Sequence, residues 1–129
     1  MISLEVAKQL KDAGLKWEPQ LWDLYCFGNS LPGFLQGVDD ENLEYLNQRV
    51  KLFAEKYVWF PRLDQLQAEI ERRGYVWVVS STTKPEYTVY VVLARLYAHS
   101  EEKGKTFFAD TPTEAAGLAL LWILQEGER

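Results

Sequence analysis

The stretch Asp110-Thr111-Pro112-Thr113-Glu114-Ala115-Ala116-Gly117-Leu118-Ala119-Leu120-Leu121-Trp122-Ile123-Leu124-Gln125-Glu126-Gly127 decides the fold. It opens with a helix start: Thr111 can cap the first free backbone amides, Pro112 fits the first helical position, and Glu114 can reach back to the cap. From Ala115 to Leu124 the segment is apolar on nearly every side, and Gly127 supplies a left-handed stop. Such a helix belongs in the middle of a core. Its most polar stripe (Glu114, Gly117 and Gln125) is narrow and interrupted by Leu121, so other elements must cover most of its circumference.

Those elements lie upstream. Thr106 to Ala109 read as a last strand, and Tyr75–Ser80 and 87–97 are the clearest strands, rich in Val, Trp and Tyr and joined by Ser81 to Glu86. They are expected to pair as an antiparallel hairpin. Both faces are apolar, with Tyr75, Trp77 and Val79 on one and Val76 and Val78 on the other, so one face suits helices and the second another layer or another subunit. Pro61 opens a helix that carries Leu63, Leu66 and Ile70 inward and ends at Gly74. Before it, Tyr57 to Phe60 read as a short strand, because Pro61 pushes Phe60 out of helical geometry.

From Asp39 to Lys56 the chain reads as a helix, with Leu43, Leu46, Val50, Phe53 and Tyr57 recurring at steps of three and four, the spacing of a helix face. Asn29 to Gly37 read as a loop, and Leu21 to Phe27 as an aromatic-rich strand. At the start of the chain Ser3 can cap a helix with Val6, Ala7, Leu10 and Ala13 on one stripe, stopped by Gly14. Gly14 and Gly74 are 60 positions apart, each preceded by a helix and followed by a Trp three residues later. Shared helix-to-strand grammar accounts for this echo more simply than a duplication.

The chain has 129 residues, 47% of them hydrophobic and 26% charged, which fits one folded domain spanning 1–129. A net charge of -5 and no basic run longer than Arg72-Arg73 disfavour nucleic-acid binding. No window approaches the length of a membrane span and the N-terminus lacks a signal-peptide pattern, so a cytoplasmic protein without membrane contact is expected.

Residues able to do chemistry are present, but no spacing assembles them. Asp39, Asp40, Glu41 and Glu44 carry oxygens suited to a hard cation, yet they lack the alternating ligands and glycine turn of a calcium loop and read as a helix start. Cys26 would need a histidine beside it to act as a nucleophile, and the single His99 is not placed to serve, so Cys26 reads as a small core residue. Asp23 would have a raised pKa if buried in its apolar strand, but exposure at a sheet edge is the expected state. Trp17, Trp22, Tyr25, Trp59 and Trp77 could line a groove for a sugar, base or peptide; most are expected in the core, leaving one or two exposed for a protein contact. Catalytic, cofactor-binding and metal residues are therefore assigned as none, and no cofactor is expected.

Trp59-Phe60-Pro61-Arg62-Leu63-Asp64-Gln65-Leu66 and Ala109-Asp110-Thr111-Pro112-Thr113-Glu114-Ala115, with Leu121-Trp122, resemble small uncharacterised proteins encoded by bacteriophages and prophages. The resemblance covers about the second half of the chain and implies an accessory protein in a bacterial cell; it transfers no catalytic residue. Residues and resemblance together predict an α+β fold, an antiparallel sheet of four or five strands packed by three or four helices. They favour a non-enzymatic role: binding a protein partner, with a homodimer also possible. The alternatives are an enzyme with a dispersed acidic site and an acidic nucleic-acid mimic.

Overall fold

The computed structural model describes residues 1–28, 35–81, 87–93 and 104–127. Its elements follow from local chemistry. Helix α1 (Leu4–Asp12) starts where Ser3 Oγ accepts the Val6 amide at 3.2 Å and stops where Gly14 turns to φ 103°. Strand β1 (Leu24–Phe27) pairs on one side with the short β2 (Gln36–Gly37) and on the other with β3 (Tyr57–Phe60). Between β2 and β3 lie α2 (Leu43–Phe53) and a 3₁₀ turn (Ala54–Lys56). Helix α3 (Leu63–Arg72) ends before Gly74 at φ 87°. Strands β4 (Tyr75–Ser81), β5 (Tyr87–Leu93) and β6 (Gly104–Ala109) form a second antiparallel sheet. Helix α4 (Pro112–Trp122) follows and continues into a π-helical turn (Ile123–Gly127).

The protein is thus α+β, with its described strands divided between two three-stranded sheets instead of joined in one. Alternation along a strand says which face is buried but not which strand pairs with which, and β3 pairs with β1 rather than with the later hairpin. The first sheet is covered on both faces. Leu24, Cys26, Val58 and Phe60 face the main core with α1, α3 and α4, while Tyr25 and Tyr57 join Leu46 and Val50 of α2 in a smaller cluster.

Helix α4 sits where the sequence places it, with Ala115, Ala116, Ala119, Leu120 and Ile123 buried between α1, α3 and the second sheet. Two details of its sequence reading change. Thr111 does accept the Glu114 amide, at 3.1 Å, but the Glu114 carboxylate does not return to the cap. Its Oε1 instead accepts from the Ser3 amide at 3.2 Å and the Ser3 hydroxyl at 3.0 Å, tying the start of α1 to the start of α4. Gly117 is not on a polar stripe but buried: a Cβ there would stand 2.6 Å from Ile2 Cδ1 and 3.1 Å from Val6 Cγ1, so its lack of a side chain is what lets α1 approach α4.

In the second sheet, Tyr75 pairs with Leu93 and Phe107 with Val89, and both rings meet Trp122 of α4. Val76 pairs with Val92 and Phe108 with Thr88, so both lie on the opposite face, where they are exposed. The echo around Gly14 and Gly74 reduces to shared grammar: both glycines adopt positive φ, but only Gly74 leads into a strand, while Leu15 to Gln20 run without regular structure. Residues 94–97 of the expected long strand and His99 lie outside the described residues, as do 29–34 of the expected loop.

Candidate binding surface

Two residues of the turn before β1 organise this part of the molecule. Leu21 and Trp22, expected in the strand, lie outside it, because the backbone reverses at Trp22 with φ 73°, the one non-glycine residue with positive φ among those described. Trp22 is 76% exposed, and its amide donates to the Val38 carbonyl at 2.9 Å while Val38 donates back to the Asp23 carbonyl. A non-glycine residue in this conformation costs about 1–3 kcal/mol, so the turn carries backbone strain while its indole stands in water.

The neighbouring carboxylate supplies the support. Asp23 is only 1% exposed, which corrects the expectation of an edge-strand surface acid. Its burial is possible because every lone-pair direction is met. Oδ2 accepts the Trp17 indole N–H at 2.9 Å and the Gln20 amide at 3.0 Å, while Oδ1 accepts Arg62 Nη1 at 3.1 Å and Gln65 Nε2 at 2.6 Å. Gln65 also accepts the Arg62 amide through Oε1 at 2.9 Å, so one amide side chain both caps α3 and anchors the turn. Asp23 thus fastens the 17–23 segment to the start of α3. Nothing in the sequence marked Arg62 or Gln65, beyond Gln65 standing three residues into a helix start.

The aromatic group resolves into separate roles. Trp17, Tyr25 and Tyr57 stack together with ring centroids 5.2 to 6.2 Å apart. Tyr25 donates its hydroxyl to Gln36 Oε1 at 2.9 Å, and burial, with Tyr57, Asp39 and Tyr45 nearby, pushes its phenol above the ordinary value. Trp59 and Trp77 are half-buried against the main core. Trp22 alone of the five is exposed.

Helix α2 carries the second exposed patch. Tyr45 and Leu52, seven positions and therefore two turns apart, share its outer face at 60% and 72% exposure. Between them the Arg49 guanidinium lies over the rings of Phe53 (4.6 Å) and Tyr45 (5.8 Å). Beneath the opposite face of α2, against the end of α1 and β3, is a groove of about 570 Å³ walled by Trp17, Tyr57 and Trp59.

No family model matches the chain, and neither a curated protein nor a solved structure matches it. Asp39 Oδ1 accepts the Glu41 and Asn42 amides, both at 2.9 Å, and Asn42 Oδ1 accepts the Asp39 amide at 2.8 Å, which is the turn chemistry of a helix start. Burial pushes the Cys26 thiol above its ordinary value, with Lys8 and Lys11 only partly opposing it, so at neutral pH it is a protonated core residue rather than a nucleophile. Glu69 is clamped by Arg72 and Arg73; burial opposes its ionisation, but the two guanidiniums outweigh burial and hold its carboxyl below the usual range.

Proposed function

We propose that this chain is a non-enzymatic accessory protein of the small phage- or prophage-encoded kind, and that it binds a protein partner with Trp22 as the anchor. The observation that carries the reading is the exposure of Trp22 at 76% on a backbone turned to φ 73°. Trp, Tyr and Arg are the side chains that dominate binding energy when buried at a contact, and Trp22 is the exposed one of the candidate tryptophans, while Tyr45 and Arg49 belong to a separate exposed patch on α2. Asp23, Asp39 and Glu69 are each occupied by donors of the fold itself, so these three suit neither a catalytic carboxylate nor a free charge imitating a phosphate.

Affinity capture from a bacterial lysate tests this, with wild type beside Trp22→Ser and a Tyr45→Ser/Leu52→Ser double variant. A specific partner retained by wild type through moderate salt, which screens exposed charges beyond about 8–10 Å, and lost by Trp22→Ser, is the expected result. Equal capture by Trp22→Ser would remove the anchor, and binding that collapses steeply with salt would favour the nucleic-acid mimic.

A further inference from the structure

We infer that the groove between α1 and α2 is a binding site for a small amphipathic anion, an aliphatic or aromatic body ending in a carboxylate. Its volume of about 570 Å³ lies in the range of small-molecule sites. The walls are apolar: Leu15 and Val50 with the rings of Trp17, Tyr57 and Trp59. Trp17 is fixed in place by its hydrogen bond to the buried Asp23, so this wall is formed before any ligand arrives.

The charge at the groove is opposite to that of the chain. Lys11, Lys16 and Lys51 line it, with Glu18 the one acid among the lining residues. Lys11 and Lys51 sit in the last turns of α1 and α2, where each helix end adds roughly half a negative charge. Glu18 and the two helix ends together offset about two of the three lysines, leaving roughly one positive charge in a chain whose net charge is -5. The lysines also differ in their engagement. Lys11 donates to the Glu55 carbonyl, joining the end of α1 to the turn that follows α2. Lys16 and Lys51 are exposed and have no hydrogen-bond or ion-pair partner among the described residues, so their ammonium groups are free to meet a carboxylate at the mouth. An apolar body against the rings and a carboxylate between Lys16 and Lys51 would satisfy both features together.

Isothermal titration calorimetry on the full chain at low ionic strength, with octanoate and octylammonium as probes of equal tail length, tests the site. Octanoate is expected to bind at one site and octylammonium at least about tenfold more weakly. Two variants at exposed positions locate the site: Lys16→Glu with Lys51→Glu should weaken octanoate by about tenfold or more, and Ala54→Trp, which fills the groove, should abolish binding. If Ala54→Trp alone lowers the melting temperature, the charge-reversal pair decides by itself. Trp22→Ser should leave octanoate binding unchanged, which separates this site from the protein contact. Equal affinity for the two probes, octanoate binding that survives the lysine reversals, or no binding at about 10 mM would overturn the inference.

Discussion

Replacing Asp23 with Ala should destabilise the protein by about 3–5 kcal/mol, because it orphans several donors at once. The Trp17 indole, the Gln20 amide and the Gln65 amide group would lose their acceptor in a part-buried site, each at up to about 1–3 kcal/mol before relaxation and solvation by water. Arg62 adds less, since its side chain is 39% exposed and can turn to water or to Asp64, 3.4 Å away. Asp23→Asn keeps the shape but sets an NH₂ group against one pair of donors, and it should also be clearly destabilising. Asp64→Ala is the control: 75% exposed, it should change stability by no more than about 0.5 kcal/mol. Thermal melts of the three variants give the answer, and an Asp23→Ala melt equal to wild type would mean that the turn is held by packing and not by the carboxylate.

Leu120→Ala is the second large effect, about 2–5 kcal/mol. Leu120 has no exposed surface and lies in the main core with the buried Ala116 and Ala119 of the same helix. Its neighbours belong to several elements and cannot all close on the space it leaves, so a cavity term adds to the lost transfer energy. Against a typical total of about 5–15 kcal/mol, a loss near 3 kcal/mol should lower Tm by roughly 10 °C. Trp122, although larger, is only half-buried against Tyr75 and Phe107, and so contributes less for each atom removed. A Leu120→Ala loss under about 1 kcal/mol would show that α4 is not the centre of the core.

The terminal helix is legible in the sequence, and the Asp23 anchor is not. The apolar run after Thr111-Pro112 marks the buried helix because composition over ten residues determines burial on all sides, while Ser3 starts α1 and Gly14 and Gly74 stop α1 and α3 by short-range chemistry. Asp23 was not legible. Its donors Arg62 and Gln65 stand 39 and 42 positions away, and a lone Asp in an aromatic run reads as exposed unless those partners are known. The capping role expected of Glu114 failed for the same kind of reason: Ser3, 111 positions away, offers it two donors that the local cap cannot match. Trp22 was among the candidate aromatics, but its left-handed backbone runs against its own preference and follows from the Val38 bridge, a tertiary contact. The groove was anticipated only through Trp17 and Trp59; its lysines come from three separate segments that the fold brings together.

If Trp22 is the anchor proposed above, its exposed position costs the fold stability, and Trp22→Gly tests this without any knowledge of the partner. Glycine accepts φ 73° without strain, so relief of the backbone should outweigh the added freedom of the unfolded chain by about 1 kcal/mol and raise Tm by roughly 3 °C. A stabilised Trp22→Gly protein that no longer captures the partner is the predicted result. A fall in Tm would show that the indole packs as part of the fold, and the account of Trp22 as a binding anchor would be wrong.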